Sequence, residues 1–377
     1  MNTAKRKKVN KERVYFFDTM RAMLIIFIVI IHILQVFNPN ASWLIHHNND
    51  INIAPFLIDF LMLFTLQSFF IMSGYLAAMS IKNIGVKNFF DSRIKRILIP
   101  IIVTAITLNS LQTYFLTKSS GIDISIYTYI IKGEWVSHLW FLIDIAIFFL
   151  FSYIAVIFFN SIIKKINYFF NLLFEKFGLY IMLLFISFLI LILIMLFSIL
   201  SPYIYTEIIN IKSLFFYSPF FILGTLLFSN QKIFKNFIQI PILNTLLISI
   251  IFSYLSIYFS DCTNSIEKIA YNFFNASSNL FASALCFTLF YKFFNKQSKF
   301  FSFLAEASYS IYLFHHVLVV LGGLILIKLN IGGYLGFFIL LLFVSALSLF
   351  IHHYLISKNS LLSFLFNGKK IKRNLHV

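Results

Sequence analysis

The sequence predicts an all-α, polytopic integral membrane protein of about ten transmembrane helices, and three observations predict it. Of its 377 residues 60% are hydrophobic and only 11% charged, with a mean hydropathy of +0.90, far outside the usage of soluble domains. Apolar runs long enough to cross a bilayer recur along the whole chain. Lys and Arg gather in alternate connections, the asymmetry that sets membrane orientation.

Polar clusters divide the chain into spans at about 14–37, 56–81, 97–117, 139–160, 178–200, 213–229, 239–259, 274–294, 303–327 and 333–356. With the N-terminus in the cytoplasm, 24 Lys and Arg fall in cytoplasmic segments, against five in outer ones: Lys118, Lys132, Lys212, Lys268 and Lys328. An odd number of spans would destroy that alternation. The expected organisation is a basic cytoplasmic N-terminus over 1–13, a membrane domain over 14–356 and a basic cytoplasmic tail over 357–377. No small-residue cleavage site follows the first span, which reads as uncleaved.

The net charge of +17 does not point to nucleic acid, because its distribution is that of a topology signal. Cys262 and Cys286 fall in different segments and suggest neither a metal site nor a disulfide framework. There is no fixed-period repeat, low-complexity linker or Gly-rich phosphate loop, so the spans form one domain whose first partner is the lipid bilayer.

The first span is the most informative, because it is apolar enough to cross a bilayer yet carries Asp18, Arg21 and His32. Ionisable groups at membrane depth are costly and need a reason. On a helix Arg21 and His32 lie about 20° apart around the axis and roughly 16 Å apart along it, on one stripe. Asp18 stands three positions before Arg21, where opposite charges meet on a helix surface. A purely structural role is also open: snorkelling arginines at the membrane edge and a histidine bonded to a neighbouring helix.

Further along, FFDSRIKRILIP places Arg93 and Arg96 at the cytoplasmic start of the third span. Paired guanidiniums suit phosphate because each donates two parallel hydrogen bonds and cannot lose its charge; the positive-inside bias alone would place them there too. SHLWFLIDI opens the fourth span with His138, Trp140 and Asp144 near the outer face, an arrangement that suits either a sugar platform or an interfacial anchor. Trp43 and Trp135, in the two longest outer loops, read as an aromatic belt. ASYSIYLFHHVLV supplies Ser310, Tyr312, His315 and His316, a second polar site at membrane depth.

YFFDTMRA with its R-x10-H spacing, SFFIMSGYL, SRIKRILIP, SHLWFL, FFYSPFFILG, SYSIYLFHH and the closing LLSFLFNGKK, in this order, resemble the membrane acyltransferase-3 family. The resemblance covers about Tyr15 to Lys370 and is nearest to the branch that succinylates periplasmic glucans. It implies an enzyme of the inner membrane that moves an acyl group from cytoplasmic acyl-CoA to a carbohydrate hydroxyl on the far side, with no permanently bound cofactor. It maps the family's R-x10-H pair onto Arg21 and His32, with Asp18 as support, and its R-x-x-R donor motif onto Arg93 and Arg96. The acceptor side would fall to His138, Trp140, Ser310, Tyr312, His315 and His316. Asp144 departs from the pattern, where an apolar residue is expected. Many relatives carry a further soluble esterase-like domain, for which this sequence shows no counterpart.

A neutral imidazole at His32 suits the general base that takes the proton of the attacking hydroxyl. Arg21 suits the thioester oxyanion or the donor phosphates. Two alternatives remain at this stage. One is acetyl in place of succinyl, delivered to an O-antigen, peptidoglycan or capsular sugar. The other is a polysaccharide exporter or flippase, which should show broken helices or repeat symmetry that the sequence does not display.

Overall fold

The computed structural model describes residues 14–41, 43–121, 124–201, 208–261 and 264–369. Among them the secondary structure is helical throughout. The first span is α1 (Tyr15–Val36), and the second is split into α2 (Ala54–Met62) and α3 (Thr65–Ile84). The third runs from α4 (Val86–Thr104) through a π-helical turn at Ala105–Asn109 into α5 (Ser110–Ser120). After the short α6 (Ile126–Ile131) come α7 (Trp140–Phe158), α8 (Asn160–Leu200) and α9 (Ile211–Ser229). Then follow α10 (Gln231–Phe237), α11 (Ile242–Tyr258), α12 (Ser265–Phe294), α13 (Lys299–Leu329) and α14 (Gly333–Phe350). A second π turn at Ile351–Ile356 and α15 (Ser360–Asn367) close the described chain.

Nine helical segments of the described residues are long and apolar enough to span a membrane, and α10 with α11, bent by 77°, makes a tenth as a broken pair. The expected seventh span, 239–259, is thus shorter than drawn from sequence. Ile240 and Pro241 interrupt the helix, and the 17 residues of α11 fall short of the roughly 20 that a bilayer needs. The sequence argued against an exporter partly because no broken helix was visible. One exists, although its residues join neither of the polar clusters described below. Two connections expected as loops are also helical. Residues 160–177 continue into the fifth span through a kink at Gly178 (φ 78°), and the basic 86–96 stretch is the first half of α4.

Two of the motifs that carry the family resemblance act in packing. A Cβ on Gly74 of α3 would lie 2.0 Å from the carbonyl oxygen of Phe221 in α9, and one on Gly224 would lie 1.9 Å from that of Ile71. The two glycines let the backbones of α3 and α9 touch, the device by which membrane helices gain dispersion contacts where no hydrophobic drive separates them from lipid. SGYL and FILG therefore need glycine for contact. α1 lies inside the bundle against α13, α12 and α3, with Phe16, Met20, Leu24 and Ile33 fully buried.

Candidate functional site

Four imidazoles meet near one end of the bundle: His32 of α1, His138 of the 3-10 turn Ser137–Leu139, and His315 and His316 of α13. The ring of His32 lies 5.3 Å from that of His315 and 4.9 Å from that of His316, and His138 stacks on His316 at 4.7 Å. Trp43, from the loop after α1, lies nearly parallel over His32 at 5.6 Å and edge-on to His316. Tyr312, one turn before His315, donates its hydroxyl to the carbonyl of His138 at 2.5 Å and so ties the 3-10 turn to α13. Ser137, at φ 40°, holds that turn in a conformation a non-glycine residue seldom adopts. His138, His315 and His316 are buried, whereas His32 keeps partial exposure.

Hydrogen bonding assigns tautomers. Nδ1 of His315 faces only carbonyl oxygens, those of Tyr312 at 2.7 Å and Ile311 at 3.1 Å, so it carries the proton and Nε2 keeps a lone pair with no partner. Nδ1 of His316 donates to Oε1 of Gln112 at 2.6 Å, while the Gln112 amide donates to Ser137 Oγ at 3.3 Å. Gln112 thus fixes one imidazole and braces the turn that presents another. Nδ1 of His32 is buried without a hydrogen-bond partner. Such unpaired buried nitrogens are costly and point to a site that a ligand completes. Among the described residues no group of three His, Cys, Asp or Glu is arranged to hold a metal ion. The parallel stacking of His138 on His316, at 15°, keeps their in-plane lone pairs from converging.

The arginines gather at the other end of α1. Arg21 meets Asp18 at 3.2 Å, and the charged neighbours of Arg93 are Arg96 and Arg21. Arg93 donates to Ser80 Oγ at 3.3 Å and covers the Phe89 ring, while Arg96 is exposed. The first span therefore joins two clusters: guanidiniums around Arg21 and imidazoles around His32, roughly 16 Å apart by helical rise. Arg21, paired with His32 in the sequence, has Arg93 as a charged neighbour in space.

Not every expected residue joins. The Ser310 hydroxyl turns to His352 Nδ1 (2.9 Å) and Asn367 Oδ1 (3.2 Å), away from the imidazoles that follow it on α13. Trp140 stacks on Tyr217 of α9 and makes no ring contact with the histidines. Asp144 is buried and accepts from Ser213 of α9 at 2.5 Å, which explains how an acid is accommodated where an apolar residue was expected. Trp43 and Gln112 were missed. Trp43 read as an interfacial anchor, but it covers His32. The signal for Gln112 was present, since Asn109 and Gln112 are two amides three apart in an apolar span; in the structure the π turn at Ala105–Asn109 ends on the first of them.

Comparison with known proteins agrees with this architecture. Residues 14–352 match the family described as acyltransferase domain. The chain belongs to the acyltransferase-3 family. Glucans biosynthesis protein C of Escherichia coli (strain K12) is similar to this acyltransferase at 26% identity, over 96% of both chains. The proteins of the same name from Escherichia coli (strain SMS-3-5 / SECEC) and Shigella dysenteriae serotype 1 show the same identity and coverage. No solved structure matches the chain. The matched residues include both clusters, and α15 lies beyond them.

Proposed function

We propose that this acyltransferase moves an acyl group from cytoplasmic acyl-CoA to a hydroxyl of an extracytoplasmic glucan or other surface carbohydrate. The observation that carries the proposal is the pair of clusters gathered at the two ends of one buried helix: cations that suit phosphates around Arg21, and around His32 imidazoles of which two, His315 and His316, have fixed tautomers. A CoA headgroup is too highly charged to enter hydrocarbon, so its phosphates stay on Arg93, Arg96 and Arg21 while the neutral pantetheine arm follows α1 towards His32. There the hydroxyl oxygen attacks the thioester carbon and His32 takes the hydroxyl proton. The C–S bond breaks and the proton passes to the departing thiolate, restoring the neutral imidazole. The lone pair on His315 Nε2, across a ring separation of 5.3 Å, gives the proton a second seat.

Succinyl is the acyl group implied by the branch the sequence resembles. Acetyl is favoured by one observation: among the described residues no Lys or Arg joins the contacts around the imidazoles, where a second carboxylate would need a cation. Mass spectrometry of surface glycans from wild-type and deletion strains distinguishes these, as a mass difference of one group or the other. Unchanged glycans together with no acyl-CoA consumption by the purified protein would overturn the proposal.

The membrane in question is the inner one, and the 24-to-five distribution of Lys and Arg supports cytoplasmic termini. With Cys262 replaced, an impermeant maleimide on intact cells should label Ser125→Cys and spare Ser92→Cys and Ser298→Cys until the cells are opened. Labelling of Ser92→Cys from outside would put the arginines on the wrong side for CoA.

A further inference from the structure

The guanidinium end contains a piece, from the LLSFLFNGKK stretch, that lies beyond the family-matched residues 14–352 and outside the donor motif. α15 begins at an Asn359 cap, which accepts from the amides of Leu361 and Leu362, and ends at Gly368 in the left-handed region (φ 57°). That glycine lies directly on the arginine helix. A Cβ there would be 2.4 Å from Arg96 Cα and 3.0 Å from the carbonyl oxygen of Lys95. The Arg96 carbonyl is held from another side by the Tyr309 hydroxyl of α13 at 3.0 Å. The Arg96 backbone is thus clamped between α13 and the end of α15.

Three further contacts hold the clamp in place. Asn367 is buried, and its Oδ1 accepts from Ser310 Oγ, which in turn accepts from His352 Nδ1. His352 reaches Ser310 from the π turn at Ile351–Ile356, a local rewinding of the kind found at functional sites. Lys369 pairs with Glu306 at 2.9 Å, and Phe366 packs on Phe314. The clamp has an electrostatic reason. Arg96 and Arg21 both repel Arg93, so beside the Asp18 pair and the Ser80 bond the surrounding backbone helps keep the guanidiniums convergent.

We infer that α15, through Asn367 and Gly368, is a positioning element of the donor-phosphate subsite, a strap that fixes the Arg96 backbone so that the guanidiniums receive the CoA phosphates. The inference rests on the donor reading above. Pre-organisation of this kind shows in ligand affinity, because a misplacement of about 1 Å in a positioned group is costly in binding and rate.

The test uses full-length protein in detergent, with Gly368→Ala and Asn367→Leu checked for monodispersity and thermal stability. KM for acyl-CoA should rise about tenfold with kcat retained, and CoA affinity should fall in parallel. Turnover of acyl-pantetheine, which lacks the nucleotide phosphates, should match wild type. Equal KM for acyl-CoA in wild type and both variants would overturn the strap, as would an equal loss on both donors, which marks a general folding defect. Should Gly368→Ala fail to fold, Asn367→Leu and Lys369→Ala decide. Failure of wild type itself to bind CoA would refute the donor reading separately.

Discussion

The imidazole and guanidinium ends of α1 differ in the way physical chemistry requires. The imidazoles are mostly buried and are assembled from three separate stretches of chain, and two of them, His315 and His316, have their protons placed by carbonyl and amide acceptors. The arginines remain half-buried or exposed and come largely from two sequence motifs. A neutral ring can enter a membrane interior once its donor is satisfied, whereas a guanidinium must keep contact with water or an anion. The difference suits two separable jobs, and under the proposed function one end would handle a proton and the other a charged headgroup.

Three substitutions sharpen or break that comparison. The largest effect is expected from His32→Ala, which should lower acylated product by on the order of 100- to 10,000-fold, with expression and melting temperature near wild type. Near-normal product would make His32 structural and collapse the proposed division. Next is Gln112→Leu, which strands the His316 Nδ1 proton and frees the turn carrying His138. An unpaired buried donor costs about 1–3 kcal/mol, so kcat should fall about ten- to a hundredfold with little change in KM for acyl-CoA. An effect confined to KM would place Gln112 with the donor. The smallest is Arg96→Lys, which keeps charge but loses the planar fork. We expect KM for acyl-CoA to rise about three- to tenfold at constant kcat, measured with purified protein. Loss of kcat alone would show that the arginines reach the reacting centre.

The glycine motifs stand apart from this pair. Gly74 and Gly224 belong to signatures that carry the family resemblance, yet each meets only backbone of the opposing helix. Their constraint is steric, so Ala at either position should reduce folded protein without favouring one end over the other.

By itself the sequence determined that this is a membrane protein, roughly where its spans lie, and that α1 bears an ionisable stripe, because hydropathy and helical period are local properties that every residue reports. It also made His32, Arg93 and Arg96 legible, since an ionisable group in an apolar run or a spaced arginine pair is visible without knowing its neighbours. What only the tertiary structure decided is who stands beside whom. Trp43 over His32, Gln112 under His316, Ser310 turned to Asn367, and Arg21 near Arg93 all depend on how separate helices pack. No periodicity records that information. Partners 213 positions apart, as Tyr309 and Arg96 are, become neighbours only when small residues let backbones touch and buried polar groups find one another.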